Sequence, residues 1–102
     1  MNKQTLKALK GSIKKWERIV AGELEDEGPD NCPLCKLYYW DKDCTGCPVF
    51  EKTAKHYCSG TPYEDKWVPL IRREAFVNKR ADTPEKKKAA RAELKFLKSL
   101  LP

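Results

Sequence analysis

Residues 31–48 read NCPLCKLYYWDKDCTGCP, and the spacing of cysteines in this stretch decides the kind of fold to expect. Cys32 and Cys35 form one C-x-x-C pair, Cys44 and Cys47 a second, with eight residues between the pairs. Two residues between cysteines bring both thiolates to one ion from a tight turn, and two such pairs complete the tetrahedral shell of a structural zinc site. Four thiolates close that shell and leave no position for a reactive water, which speaks for a structural ion. Cys32, Cys35, Cys44 and Cys47 are therefore the expected zinc ligands, at the centre of a small helical domain.

The ligand set stays open at its edges. Eight residues between the pairs is short for a zinc ribbon, and Cys58 and His56 follow as alternate ligands. A set of Cys32, Cys35, Cys47 and Cys58 closes a longer loop and leaves Cys44 as a spare thiol or hydrogen-bonding neighbour. Cys47 is followed by Pro48, and C-x-x-C-P also occurs at iron–sulfur clusters, so a cluster is the competing cofactor, although the closely spaced cysteine run of bacterial ferredoxins is missing. Neither pair sits in the βαβ pattern of a thioredoxin-like redox motif.

The rest of the chain fits a stapled domain. At 102 residues with 35% charged side chains there is room for one lean core, and domains of this size often need a metal, disulfides or oligomerisation. The opening MNKQTLKALKGSIKKW has lysines every three or four positions and no apolar run suited to a signal peptide. No stretch approaches the ~20 apolar residues of a membrane span. The expected location is the cytoplasm, with no membrane association, where disulfides rarely persist and closely spaced cysteines read as metal ligands.

Apolar periodicity predicts helices throughout. Leu6, Leu9, Ile13, Trp16, Ile19 and Val20 mark one face of a helix over residues 5–21, with Gly11-Ser12 as a point where it could break. The acidic stretch 23–30 reads as a solvated loop. Asn31 is a candidate cap for a short helix entered at Pro33, and Pro48 to Lys55 predicts a second brief turn. Thr61-Pro62-Tyr63-Glu64 has the form of a capped helix start, followed by Tyr63, Trp67, Ile71 and Ala75 at steps of four, with Pro69 predicted to kink or restart it. Thr83-Pro84-Glu85 begins the last helix, which carries Ala90, Leu94, Leu97 and Leu101. Nothing reads as a strand. The expectation is an all-α or nearly all-α single domain over 1–102: a basic N-terminal helix in 1–22, a metal-binding cysteine centre in 31–60 and C-terminal helices in 61–101.

Charge is segregated along this plan. Residues 1–22 hold six basic and one acidic side chain, residues 23–65 four and ten, and residues 66–102 eleven and four. Lys88, Arg91, Lys95 and Lys98 recur on the face of the last helix opposite its leucines, and Lys3, Lys7, Lys10 and Lys14 do the same on the first. Such stripes suit a phosphate backbone, though solvated helix faces look alike. Tyr38, Tyr39, Trp40, Phe50, Tyr57, Tyr63, Trp67 and Phe76 crowd the middle of the chain and are read as core, except that Tyr39 and Trp40, beside Asp41 to Asp43, are expected at the surface as a partner contact.

With Trp16 before the acidic loop, NCPLC at 31–35, CTGCPV at 44–49, Cys58, TPYEDKW at 61–67 and ELKFLKSLL at 93–101, the chain resembles small cysteine-rich accessory proteins of tailed bacteriophages and prophages. The resemblance spans roughly residues 12–101 and implies a setting, the bacterial host cytoplasm, and a host protein or defence system as target; that family has no established activity and supplies no catalytic residue.

An enzyme is not expected. The chain has one histidine, no phosphate-binding glycine loop and no nucleophile with a supporting base. Two binding functions remain. One is modulation of a host protein, favoured by the resemblance and by an acidic centre that would repel a polyanion. The other is nucleic-acid binding through Lys88, Arg91, Lys95, Lys98 and the first helix.

Overall fold

Asn2 starts the first helix by accepting a hydrogen bond from the Thr5 N–H, and α1 then runs unbroken over Lys3–Val20. The computed structural model describes the chain apart from residues 43–45, 56, 57 and 59, and of residues 29 and 39–42 it describes the backbone alone. A 3-10 turn at Gly28–Asn31 leads into α2 (Pro33–Lys42), followed by α3 (Pro48–Thr53), α4 (Val68–Arg73) and α5 (Pro84–Lys98). Among the described residues there is no strand, and the architecture is mostly helical as expected.

The break expected at Gly11-Ser12 does not occur, and packing explains why. A Cβ at Gly11 would lie 2.9 Å from Pro33 Cγ, so this glycine is where the first turn of α2 presses against α1. Ser12 is fully buried, and its Oγ accepts from the Leu34 N–H at 3.3 Å. The glycine cost to the helix is offset by close approach of two elements. Asn31 does not cap α2 either: its side chain accepts from Glu27 N–H and donates to the Glu25 carbonyl, closing the acidic loop.

Thr61 also departs from its expected role. Its hydroxyl donates to the Cys58 carbonyl, and the Tyr63 N–H is taken by Glu93 at 2.8 Å. Tyr63–Trp67 winds as a π turn that runs directly into α4. Pro69 has no N–H to offer the carbonyl four residues back, and the wider turn ahead of it is the restart that the proline demanded. Thr83 does cap α5, accepting from the Lys86 N–H.

One apolar cluster draws on all five helices, with Leu9, Ile13, Trp16, Leu34, Val49, Val68, Ile71, Ala90 and Leu97 among its members. α1 is its spine and packs on both α5 and α2. Trp16 stands edge-on to Tyr63 at 5.7 Å and to Trp67 at 5.4 Å; the two tryptophans are core as expected, and Tyr63 is half-buried against them. Phe76 is not: Ala75 and Phe76 both take left-handed backbone just past α4, and Phe76 and Val77 are exposed. The radius of gyration, 12.8 Å, matches the ~13 Å of a compact chain this long. Among the described residues no helix is long and apolar enough to cross a membrane.

Candidate metal centre

Four cysteines from separate parts of the chain line one cavity of about 210 Å³. Cys32 precedes α2, and its Sγ accepts from the Cys35 N–H at 3.4 Å, so the thiol itself acts as the cap of that helix. Cys35 occupies the first turn of α2, and Cys47 is the residue from which α3 starts. Cys58 follows α3 with a φ of 63°, left-handed backbone that costs a non-glycine residue ~1–3 kcal/mol and that clusters at functional sites. The wall is completed by Trp16, Leu34, Val49, Phe50 and Leu97, which make it largely apolar, and by Ser12, Lys15, Tyr63 and Glu93.

The structure thus brings together Cys32, Cys35 and Cys47 of the expected set with the alternate Cys58. Cys44 and His56 lie outside the described residues, as do Tyr57 and the side chains of Tyr39 and Trp40. Among the described residues no three cysteine, histidine, aspartate or glutamate side chains converge on a position for a single ion. Lys88, Arg91, Lys95 and Lys98 stand exposed along α5, outside the cavity wall.

Polar groups around the cavity set the charge of its thiols. The Cys32 thiol is held below its ordinary range by the hydrogen bond from the Cys35 thiol, which outweighs burial, with help from Lys15, the Cys35 N–H and Ser12, whose Oγ lies 3.7 Å from Cys32 Sγ. Cys35 is pushed up for the converse reason: its proton serves Cys32, it is buried, and charge on Cys32 and Cys58 opposes a second thiolate. A thiolate is the form in which a cysteine ligates a metal.

Below the cavity lies a buried polar network that the sequence reading did not assign. Lys15 Nζ donates to Asp26 Oδ1 at 2.9 Å and to the Gly28 carbonyl at 3.3 Å, and Trp67 Nε1 donates to Asp26 Oδ2 at 2.9 Å. Burial alone would raise the Asp26 pKa, but the Lys15 ammonium and the Gly28 N–H hold it below the carboxylate range. The acidic loop is therefore not only solvated charge. Glu93, 4% exposed, is pushed up to about 8 by burial, against the Tyr63 N–H that favours its charged form.

Two of these residues carried a signal in the sequence. Lys15 falls in register with Ala8, Ser12 and Ile19 on the apolar face of α1, and Glu93 lies between Ala90 and Leu97 on that of α5. Asp26 carried none, because its neighbours in the chain are also acidic and only its distant partners distinguish it. In comparisons with known proteins, no family model, curated protein or solved structure matches this chain.

Proposed function

We propose that this chain is a binding protein, not an enzyme, in which a metal centre at Cys32, Cys35, Cys47 and Cys58 fastens α2, α3 and the segment after α3 to one another, and in which the cationic faces of α1 and α5 bind nucleic acid. The observation that carries the binding reading is the outer surface of α5. Lys87, Lys88, Arg91, Lys95 and Lys98 are exposed there, while the two carboxylates of the helix are engaged elsewhere, Glu85 with Arg73 at 3.6 Å and Glu93 in the interior. Lys3, Lys7, Lys10 and Lys14 are likewise exposed on α1, the helix against which α5 packs. None of these nine cations is in an ion pair among the described residues.

The acidic centre argued against a polyanion partner, and two of its charges meet cations within the fold. Asp26 is neutralised by Lys15, and Glu25 pairs with Arg80 at 3.4 Å. Modulation of a host protein in a phage setting, which the resemblance implies, supplies the competing partner; its proposed contacts, Tyr39 and Trp40, have no described side-chain placement.

A salt titration separates the partners. Binding of purified protein to single- and double-stranded DNA and RNA should weaken steeply with salt, the logarithmic slope growing by ~0.7–0.9 per phosphate contact. Arg91→Glu with Lys95→Glu should lower affinity at least tenfold while the far-ultraviolet circular dichroism stays unchanged. Undiminished binding by that double variant removes α5 as the interface. Absence of binding near physiological salt redirects the search to a protein partner, to be sought by cytoplasmic pull-down with Trp40→Ala as control.

A further inference from the structure

One turn of the chain gives apolar side chains to water where burial is the norm. Among the large apolar side chains exposed in the described residues, Met1 and Leu101 lie at the chain ends, whereas Phe76 and Val77 adjoin one another just past α4. Phe76 keeps 47% of its surface accessible and Val77 81%. The backbone at this point is firmly bonded. The Phe76 N–H donates to the Ile71 carbonyl and the Ala75 N–H to the Arg72 carbonyl, both at 2.9 Å, the pair of bonds that ends a helix in a Schellman turn. Glycine is the usual residue there, yet Ala75 and Phe76 hold φ of 54° and 59°. Left-handed backbone is costly for side chains with a Cβ and persists only where the surrounding structure imposes it. Lys86, 2% exposed, does so: its Nζ donates to Glu74 Oε2 at 2.8 Å, to the Asn78 carbonyl at 3.1 Å and to Asp82 Oδ1 at 3.2 Å. The two ends of the turn are thereby fastened to the start of α5, with Phe76 and Val77 presented between them.

Positive charge surrounds this turn. Arg72 and Arg73 in the last turn of α4 are exposed, as are Lys87 and Lys88 next to Lys86 on α5. The carboxylates nearby are engaged, Glu74 and Asp82 with Lys86 and Glu85 with Arg73 at 3.6 Å. The Arg73 pair is solvent-exposed and holds the guanidinium only weakly. A ring set among cations is the means by which proteins bind single strands without reading sequence: the cations follow the phosphates and bases stack on the ring. In a duplex the ring would have to wedge open a base step, a cost that is recovered by wrapping bent duplex around a large surface. A molecule of 36 × 21 × 20 Å offers little such surface, and a single strand needs no wedge.

We propose that Phe76 is a stacking residue for single-stranded nucleic acid, one base lying on its ring while Arg72, Arg73 and the cationic face of α5 hold the flanking phosphates. This rests on the reading of α1 and α5 as a nucleic-acid interface. The test is titration of the full chain against labelled probes of equal length: oligothymidylate, an abasic deoxyribose-phosphate strand and a duplex. Wild type should bind oligothymidylate more tightly than the abasic strand. Phe76→Ala should weaken oligothymidylate binding about five- to a hundredfold, with the abasic affinity and the salt slope unchanged, and Phe76→Trp should retain it. Arg91→Glu with Lys95→Glu should weaken binding to both strands.

Wild-type affinity of Phe76→Ala for oligothymidylate would overturn the stacking role and leave the nucleic-acid reading standing. So would an equal loss on the abasic strand, or a loss confined to the duplex. No binding of any probe by wild type at low salt would overturn both readings and turn attention to a protein partner for Phe76 and Val77. Should Phe76→Ala fail to fold, photo-crosslinking of wild type to an iodouracil-substituted strand, mapped by mass spectrometry, decides the matter. A crosslink at Phe76 is expected, and crosslinks only elsewhere would remove it from the interface.

Discussion

At the scale of single residues, the molecule buries two carboxyl side chains, Asp26 and Glu93, and treats them in opposite ways. Asp26 keeps its charge because an ammonium, an indole N–H and a backbone N–H surround it. Removing one partner of such a pair leaves an uncompensated buried charge, which costs ~3–5 kcal/mol, so the network fixes the position of the loop more than it adds stability. Glu93 has one backbone N–H and, among the described residues, no cation bonded to it, and burial lifts its pKa from 4.5 to about 8. Its folded form therefore holds a proton that the unfolded chain has released. Stability is highest below pH 4.5 as far as this group is concerned, and falls as pH rises from 4.5 towards 8. Glu93→Gln keeps the shape and an acceptor for Tyr63 N–H but cannot ionise. Melting temperatures of the two proteins across pH should converge in acid and diverge in favour of the variant at neutral and alkaline pH. Parallel profiles would show that Glu93 titrates normally.

Among the elements, the contact between α1 and α2 shows how a poor helix residue can be the right one. Alanine in place of glycine inside an exposed helix stabilises by ~1 kcal/mol. At Gly11 the new methyl would meet the Pro33 ring at 2.9 Å, and a proline ring at the start of a helix has little freedom to yield. Gly11→Ala should thus destabilise, by roughly 1–3 kcal/mol as overpacked sites do, and chemical denaturation would measure it. A gain in stability would mean that α2 does not seat on α1 as described. The π turn at Tyr63–Trp67 belongs to the same scale: it delivers Trp67 to Asp26 and the Tyr63 N–H to Glu93, joining α4 to the networks beneath and beside the cavity.

For the whole molecule, the balance lies between a lean core and a large positive charge. The formal charge is +6, and the cations on α1 and α5 repel one another across packed helices. The cysteine-rich middle offers only short helices, ten residues in α2 and six in α3, which are too brief to hold together by themselves. A metal group binding the folded chain alone stabilises it by mass action and couples its own loss to unfolding. For the metal centre proposed above, treatment with a chelator under reducing conditions should lower the melting temperature and the helical circular dichroism together. An unchanged melt after verified metal loss would show that the apolar cluster suffices.

Much of this was legible without coordinates, and the division has a physical cause. Helix faces follow from local periodicity, so the amphipathic course of α1 and α5, the Thr83 cap, the short helices at Pro33 and Pro48 and the exposure of the lysine stripes could be read from spacing alone. The same spacing carried Lys15 and Glu93 into the interior, a signal present but outweighed by their charge. Other features depend on residues far apart in the chain: Gly11 against Pro33, Asp26 under Trp67, Glu93 on Tyr63, and Cys58 gathered with Cys32, Cys35 and Cys47. By itself the sequence determined which segments coil, which faces stay wet and that cysteines gather at the centre. Among the described residues, the tertiary structure alone decided that Cys58 shares a wall with Cys32, Cys35 and Cys47 and which buried charges meet, because those contacts arise from packing between helices and leave no periodic trace along the chain.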